Sequence, residues 1–270
     1  MPAKPSASEV QGAFALVTGA SRGLGKSFAR ALARRKRNLV IVARSRSGLE
    51  ALANELDHTH GVVTEIVAMD LAKPGAGLEL ARQLGERELH IDLVVNNAGF
   101  GERGEFLKLP LERQLEMIHL QNTAVVELTY QLLPLMSVAG GKRCGLINVS
   151  SMAGFQPVPY AAVYSAAKSF LMTFSMALRE ELRSSGVTVV TVCPGRLRAD
   201  AEDRKDGKVQ RKVPGGEQDH DDVVRAALEK LDSGGGLVIP GRKNRLVVRG
   251  QRLLAPNAVP KIVAKLSRPE

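Results

Sequence analysis

Residues 13–25 read AFALVTGASRGLG, an apolar run that passes directly into a glycine-rich turn and the start of a helical pattern. The run 13–18 predicts a buried strand, and residues 23–36 predict a helix. Glycines at 19, 23 and 25 allow the backbone to turn tightly and to approach a phosphate group at a helix N-terminus. An ordinary strand-to-helix turn is the alternative. The position of the turn, after the first strand and before the first helix, favours a dinucleotide site.

The rest of the chain repeats this alternation of strand and helix. Further apolar strand patterns cover 38–43, 62–68, 91–96, 145–150, 187–193 and 237–239. Helical patterns lie between them at 46–57, 77–88, 111–137, 160–184 and 220–232. Buried strands separated by helices predict an α/β fold, a doubly wound parallel sheet of seven strands with helices on both faces. No repeat or internal linker is visible, which predicts one domain over 1–270, with a flexible leader at 1–11 and a basic C-terminal extension at 241–270.

Composition indicates a soluble globular protein, with 44% hydrophobic and 24% charged residues among 270. No secretory signal is visible at the N-terminus. Cys144 and Cys193 occupy opposite ends of two strand patterns, about 15–20 Å apart if the strands are neighbours, which is too far for a disulfide. Two free thiols suit a reducing compartment and predict a cytoplasmic location.

The longest stretch without charged residues, Cys144–Ala167, has the length of a membrane span. Gly154, Pro157 and Pro159 interrupt it. We therefore interpret the stretch as buried structure that lines a site.

The net charge is +10, and eight of the Lys and Arg residues lie in 240–270, where Glu270 is the only acidic residue. Such a charge favours nucleic acid, an anionic membrane or anionic small molecules as partners. The segment has no aromatic residue for base stacking, so no nucleic-acid partner is expected, and a membrane-surface protein remains an alternative. The five histidines show no metal-ligand spacing, and no metal is predicted.

The sequence YSAAK places Tyr164 one helical turn before Lys168, so both side chains share one helix face. This pair alone is weak evidence. TGASRGLG (18–25), NNAG (96–99), NVSS (148–151), YSAAK (164–168) and CPG (193–195) occur together, in an order and spacing that resemble the short-chain dehydrogenase/reductase family. The resemblance runs from about Phe14 to the tail. It implies a Rossmann-type fold and an enzyme that interconverts a carbonyl and a secondary alcohol by hydride transfer.

The resemblance also implies roles for individual residues. The implied catalytic residues are Asn122, Ser151, Tyr164 and Lys168. Ser151 lies 13 positions before Tyr164, which is the family's spacing, so Ser150 is its neighbour and not the acting hydroxyl. The implied cofactor-binding residues are Gly19, Ser21, Arg22, Gly23, Leu24, Gly25, Arg44, Ser45, Asp70, Leu71, Asn97, Ala98, Gly99, Tyr164, Lys168, Pro194 and Gly195.

The chemistry explains why these residue types would be needed. A hydride added to a carbonyl leaves an alkoxide that needs a proton, and Tyr164 is the implied donor. We expect the ammonium of Lys168 to lower the pKa of Tyr164 and to hold the nicotinamide ribose. Ser151 would stabilise the carbonyl oxygen, and Asn122 would support a water that relays protons.

The residue that follows the second strand is Arg44, where sites for NAD often have a carboxylate. A guanidinium there attracts the 2′-phosphate of NADP. Arg22 occupies the family's second position for that phosphate, Ser45 could add a hydroxyl, and Arg46 stands at the start of the next helix. We expect NADP(H) as the cofactor; the alternative is that Arg44 and Arg46 are solvated surface charges.

Three features depart from the family pattern or extend it. Ala199 replaces a threonine that would hold the nicotinamide amide, and the loop at 199–219 is unusually charged. Met152, Phe155, Val158, Pro159 and Tyr160 lie between Ser151 and Tyr164, and an apolar wall there suits a lipophilic substrate such as a ketoacyl or steroid-like ketone. The alternative is an ordinary buried loop.

The family usually pairs subunits through the helices predicted here at 111–137 and 160–184, so we expect a homodimer or homotetramer. A cofactor-binding sensor without turnover is a rival to the enzyme. It would not need the complete set of catalytic residues.

Overall fold

The computed structural model describes residues 12–136, 144–198, 216–251, 255 and 258–267. The predicted leader at 1–11, Ala199 and most of the charged loop lie outside the described residues. So do Arg252 and Arg268 of the basic extension.

Seven parallel strands form one sheet, as the sequence predicts. In chain order the strands are β1 (Phe14–Thr18), β2 (Asn38–Ala43), β3 (Thr64–Ala68), β4 (Ile91–Asn96), β5 (Cys144–Val149), β6 (Val187–Val192) and β9 (Gly236–Val238). A separate parallel pair joins β7 (Arg196–Leu197) to β8 (Glu217–Gln218). The order across the sheet is β3-β2-β1-β4-β5-β6-β9. Every residue of β1, β4 and β5 is buried, because helices cover both faces of the sheet.

The helices divide between the two faces. They are α1 (Gly23–Arg34), α2 (Arg46–His60), α3 (Ala76–Glu86), α4 (Leu111–Ile118), α5 (Ala124–Leu132), α6 (Ala162–Glu181), α7 (His220–Asp232), α8 (Arg242–Gln251) and α9 (Ala258–Ser267). Helices α1, α2 and α7 supply one buried cluster with Phe28 at its centre. Helices α3 and α5 supply the other cluster through Leu80 and Leu128, with part of α6 packed against it.

The strand order reverses at β1: β2 and β3 lie on one side of it, and β4 and the later strands lie on the other side. Ligands of such sheets bind in the crevice beyond the carboxyl ends of the strands at this switch point. The loops that follow β1 and β4 therefore form the walls of the expected site.

The region predicted as helical at 111–137 is helical over residues 111–135, but it is not one regular α-helix. A π-helical turn at His119–Thr123 separates α4 from α5, and a short 3-10 turn containing Pro134 follows α5. The amide of Asn122 donates to the carbonyl of Ala167 on α6 at 2.9 Å, so the wide turn directs this side chain to another helix instead of along its own. No residue pattern in 111–137 indicates such a turn.

The next predicted helix begins two residues late. Tyr160 has φ of 65°, and this left-handed backbone, next to Pro159, keeps the chain out of a helix until Ala162.

Both cysteines are buried and free. Cys144 pairs with Val187 at the start of β5, whereas Cys193 follows Val192 at the far end of β6. The prediction that they lie at opposite strand ends is confirmed.

The basic extension contains two helices, α8 and α9, that the sequence patterns did not predict. None of the helices in the described part of the chain combines the length and the hydropathy needed to cross a membrane.

Candidate active site

A cleft of about 830 Å³ opens at the carboxyl ends of the strands. Of the predicted site residues, all but Gly25 and Asn122 line it. The lining set is Gly19, Ser21, Arg22, Gly23, Leu24, Arg44, Ser45, Asp70, Leu71, Asn97, Ala98, Gly99, Ser151, Tyr164, Lys168, Pro194 and Gly195. The fold thus brings together residues that are up to 176 positions apart in the sequence (Gly19 and Gly195).

The glycine turn after β1 is packed so closely that side chains would not fit. Gly19 has φ of 68°, and a Cβ there would lie 2.9 Å from the Cα of Ala98. A Cβ on Gly25 would lie 2.2 Å from the carbonyl oxygen of Gly19. Gly25 therefore allows α1 to approach the turn and does not line the cleft itself.

The N-terminus of α1 faces this turn, and the side chain of Arg22 at the N-cap position makes no capping hydrogen bond. A helix N-terminus presents backbone N–H groups and a partial positive charge. Together with the glycine turn, this arrangement fits the diphosphate of a dinucleotide.

The loop after β4 is held against the first turn by Thr18. Its hydroxyl oxygen accepts from the backbone N–H groups of Asn97 and Ala98, each at 3.0 Å. The amide of Asn97 in turn donates to the carbonyl of Thr18 at 2.8 Å. These bonds fix the two loops relative to each other on either side of the switch point.

The end of β2 supplies positive charge to the cleft. Arg44 and Ser45 are exposed and line it, and the Ser45 hydroxyl also caps α2 by accepting from the N–H of Gly48 at 3.2 Å. Arg46 does not line the cleft. Its guanidinium lies 3.8 Å from the carboxylate of Glu50, one turn further along α2. Arg22 of the glycine turn also lines the cleft, as do Lys168 and Arg198.

Asp70 and Leu71 follow β3 and close the same end of the cleft. One carboxylate oxygen of Asp70 accepts from the N–H of Ala72 at 3.1 Å, which fixes the turn.

Lys168 is buried, and its position is set by the sheet. Its Nζ donates to the carbonyl of Val149 at the end of β5 at 2.9 Å and lies 5.9 Å from the centre of the Tyr164 ring. Burial lowers the pKa of Lys168 to about 8.

The pKa of Tyr164 differs from the expectation. Burial raises it above the usual value, and a hydrogen bond with the Ser151 side chain offsets only part of this rise. The expected lowering of this pKa by Lys168 is therefore wrong for this structure, in which burial is the largest cause of the shift. Tyr164 is therefore protonated at neutral pH.

The two neighbouring serines have different surroundings. Ser150 is buried and donates to the carbonyl of Lys168 at 2.7 Å, so its hydroxyl is occupied by the α6 backbone. The Ser151 hydroxyl accepts from the N–H of Ala153 at 3.1 Å and lies beside Tyr164. This difference agrees with the assignment of Ser151, not Ser150, as the acting hydroxyl.

Asn122 lies below the cleft and not in its wall. It is buried in the π-helical turn, and its amide holds the carbonyl of Ala167, the residue before Lys168. The wall at this point is formed by the preceding residues, Leu120 and Gln121.

The sequence patterns missed a pair of amide side chains that hold the loop after β6. Gln218 accepts from the N–H of Gly195 at 2.7 Å and donates to the carbonyl of Pro240 at 2.9 Å. Asn244 donates to the same carbonyl at 3.0 Å. Gln218 lies near the end of the charged loop and is isolated from any motif, so no sequence signal could have identified it.

A small recess of about 30 Å³ adjoins Tyr164, and its lining includes the polar residues Glu102 and Gln114. Phe106, Leu109, Met117 and Tyr160 are among its lining residues. Of the apolar run predicted to face the substrate, Tyr160 lines this recess, whereas Met152 and Phe155 belong to a 3-10 turn after Ser151.

Comparisons with known proteins agree with this geometry. The family model described as short chain dehydrogenase matches residues 13–209. An uncharacterised oxidoreductase of Myxococcus xanthus is 40% identical over 186 residues, which are 69% of this chain and 72% of that protein. The ketoacyl reductase HetN of a Nostoc species is 37% identical over 184 residues, which are 68% of this chain but only 63% of HetN.

A solved structure gives the same result over almost the full length. The short-chain dehydrogenase of Sphingobium yanoikuyae, in complex with NADPH, has a TM-score of 0.77 and 29% identity, and the match covers 96% of this chain and 98% of that one. The motifs, the sheet order and the family match lead to one conclusion. The chain is a member of the short-chain dehydrogenase/reductase family of oxidoreductases.

Proposed function

We propose that this chain is an NADPH-dependent reductase that interconverts a ketone and a secondary alcohol, with Tyr164 as the proton donor. The observation that carries the proposal is the meeting of Ser151, Tyr164 and Lys168 in one cleft with the glycine turn of α1. The glycine turn would hold the cofactor that supplies the hydride, and the phenol of Tyr164 would supply the proton. Because both lie in the same cleft, one carbonyl could receive both.

The cofactor proposal rests on the charges around β2. Arg44 and Arg22 both line the cleft, and a guanidinium can bind a 2′-phosphate through two hydrogen bonds. The related Sphingobium protein was solved with NADPH. When bound, the reduced nicotinamide would supply the hydride.

Each side chain has a separate task in the proposal. Tyr164, whose pKa is raised by burial, is in the protonated form that a reduction requires. The Ser151 hydroxyl hydrogen-bonds the substrate oxygen and stabilises the negative charge that develops on it. Lys168, with a pKa near 8, is still largely protonated at neutral pH and can hold a ribose hydroxyl beside the phenol.

Asn122 acts through its neighbours. Its bond to the carbonyl of Ala167 fixes the first turns of α6, which carry both Tyr164 and Lys168. We therefore assign Asn122 to positioning in addition to the water relay that the family resemblance implies.

The substrate proposed here is a lipophilic ketone. The recess beside Tyr164 has about 30 Å³ and is lined by aromatic and aliphatic side chains together with Glu102 and Gln114, so it accommodates only a small apolar substituent on the carbonyl carbon. The relative from Nostoc is a ketoacyl reductase, which agrees with this class.

We also infer a cytoplasmic homodimer or homotetramer that pairs through α4, α5 and α6. Exposed apolar side chains on these helices form the proposed contact: Leu111, Leu115, Ile118, Val126, Tyr130, Phe170 and Met176. Apolar surface of this extent on packed helices is typical of a subunit interface.

The experiment is a panel of ketones added to the purified protein with NADPH, followed by the absorbance of the reduced nicotinamide. The panel should pair each bulky apolar ketone with a small hydrophilic one. The proposal predicts oxidation of NADPH that depends on the ketone and is faster with the apolar member of each pair. No oxidation with any ketone, and no reduction of NADP⁺ by the matching alcohols, would contradict it.

A further inference from the structure

The exposed side of α8 carries four basic side chains around one leucine. Leu246 is 66% exposed. Arg242 and Lys243 stand four and three residues before it, and Arg249 stands three residues after it, so all of them lie on the same helix face. Arg245 is also exposed. The opposite side of the helix, with Asn244 and Val248, is buried against the domain. We call Arg242, Lys243, Arg245, Leu246 and Arg249 the basic face.

Helix α9 repeats this pattern on a smaller scale. Ile262 is 47% exposed, and the exposed side chains of Lys261 and Lys265 flank it. Val259 on the same helix is buried. Both helices therefore present an apolar side chain surrounded by cations.

The cations of the basic face lack acidic partners among the described residues. Arg245 donates to the carbonyl of Ile239 at 3.2 Å, but no carboxylate in the described part of the chain pairs with any of the four. Elsewhere many surface arginines are neutralised, as Arg82 is by Glu79 at 2.7 Å and Arg35 by Asp232 at 3.0 Å. The sequence explains the difference, since no Asp or Glu occurs from 233 to 269.

The basic face lies next to the cleft. Helix α8 packs on the 3-10 turn Met152–Phe155, which directly follows Ser151. The buried Asn244 lies against Gly195 of the cleft wall, where a Cβ would be 2.5 Å from the Asn244 amide nitrogen. A surface bound by α8 would thus be close to the end of the cleft where Ser151 lies.

We propose that α8, assisted by α9, docks the protein on the surface of an anionic phospholipid bilayer. Cations attract the phosphate and carboxylate groups of such lipids, and a central leucine or isoleucine can enter the boundary between headgroups and acyl chains. A nucleic acid fits less well, because residues 236–270 contain no aromatic side chain for stacking. The exposed apolar centres equally disfavour a purely ionic contact with an acidic protein.

Docking would have a consequence for catalysis. It holds the cleft near a phase in which lipophilic ketones dissolve, so the substrate could enter without crossing water. This consequence rests on the proposed function, whereas the docking itself does not. The test therefore measures binding to lipid and uses neither substrate nor cofactor.

The experiment is co-sedimentation of the full chain with vesicles of phosphatidylcholine alone and of phosphatidylcholine mixed with phosphatidylglycerol. We expect binding to the anionic vesicles only, weakening as salt is raised. The test variant replaces Arg242, Lys243, Arg245 and Arg249 by Gln. Each cation near an anionic bilayer strengthens binding by about fivefold, so the loss of four should weaken it by roughly 10²-fold or more.

A matched control removes the same amount of charge from other surfaces. Arg34, Arg82, Arg183 and Arg225 are exposed and belong to other parts of the chain than α8 and α9, and their replacement by Gln should leave vesicle binding within about threefold of the unchanged protein. A second test variant, Leu246→Gln with Ile262→Gln, keeps all charges and should lose the binding that persists in high salt. Melting temperatures of all variants identify any loss of folding.

Three results would overturn the proposal. The first is an absence of binding to anionic vesicles by the unchanged protein. The second is equal weakening by the α8 variant and the control variant, which would show only an effect of net charge. The third is strong, salt-sensitive binding to a nucleic acid or to an acidic protein while anionic vesicles do not bind.

Discussion

The ammonium nitrogen of Lys168 lies 5.9 Å from the ring centre of Tyr164 and donates its hydrogen bond to the carbonyl of Val149, not to the phenol. The two side chains share a helix face, as their spacing of four requires, but the strand end fixes the direction of the lysine. Burial therefore dominates both pKa values: it raises that of Tyr164 and lowers that of Lys168 to about 8.

The lowered pKa of Lys168 predicts a stability that depends on pH. Its pKa is about 8 in the folded chain against 10.5 normally, so between these values the unfolded chain binds the extra proton. The free energy of unfolding therefore rises with pH between about 8 and 10.5. Below about pH 8 the folded chain holds a buried ammonium, and the full loss of stability that this causes is present. The comparison is with Lys168→Met, which has no such group.

The measurement is the unfolding free energy of both proteins by denaturant titration from pH 7 to 10. The difference, wild type minus variant, should grow by about 2–3 kcal/mol between pH 7 and pH 10. Buried Cys193, whose pKa is raised to about 12, stays a neutral thiol in both folded proteins across this range. A difference that stays constant with pH would show that Lys168 titrates normally.

Arg44 predicts the choice of cofactor. Arg44→Asp replaces an attractive charge by a repulsive one at the proposed 2′-phosphate site, so the preference for NADPH over NADH should fall by at least about 10-fold to 10²-fold. Arg46→Asp is a matched control, because Arg46 lies two residues on and outside the cleft lining. Binding of both cofactors, measured by titration of nicotinamide fluorescence, checks the prediction. Equal effects of the two substitutions on cofactor preference would show that Arg44 does not bind the 2′-phosphate.

Gln218 predicts a positioning effect on the loop after β6. It links the N–H of Gly195 to the carbonyl of Pro240, so Gln218→Leu loses two hydrogen bonds and leaves both groups without this partner. We expect cofactor affinity to fall by about 10-fold with little change in melting temperature. Gln218→Glu keeps an acceptor for the N–H of Gly195 but loses the donor to Pro240. Its cofactor affinity should lie between that of the unchanged protein and that of Gln218→Leu. A loss of melting temperature without a loss of affinity would mean a structural role only.

The exposed side chains of α5 and α6 predict the assembly. Tyr130 is 75% exposed, and Phe170 and Met176 on α6 are about half exposed. Light scattering at micromolar concentration should give a dimer or tetramer mass for the unchanged protein. Phe170→Glu with Tyr130→Glu should lower the mass to that of the monomer, whereas Leu78→Glu on α3 serves as the control. A monomer mass for the unchanged protein would refute this account.

Much of the fold follows from local pattern. β2 and β4 match their predicted bounds, because mostly apolar runs between turn residues leave little freedom in the placement of the strands. The cleft could also be predicted, since motifs at strand carboxyl ends must meet at the switch point. The hydrogen bonds of Ser150 and Ser151 differ, and the assignment of the acting hydroxyl to Ser151 stays a prediction.

What the sequence did not predict depends on contacts between distant residues. The π-helical turn at Asn122 involves a bond to Ala167, 45 positions away, and periodicity does not encode such a bond. Gln218 reaches Gly195 and Pro240 across two loops. The raised pKa of Tyr164 comes from burial, which a helical spacing of four residues cannot show.

The central claim is that Tyr164 donates the proton in a reduction that uses NADPH. Tyr164→Phe keeps the ring and removes the acid, so it should fill the same space. The measurement is the rate of NADPH oxidation with a ketone that the unchanged protein reduces, together with NADPH affinity by fluorescence titration. The account predicts turnover lowered by at least about 10²-fold with cofactor affinity nearly unchanged. Turnover by Tyr164→Phe equal to that of the unchanged protein would contradict it.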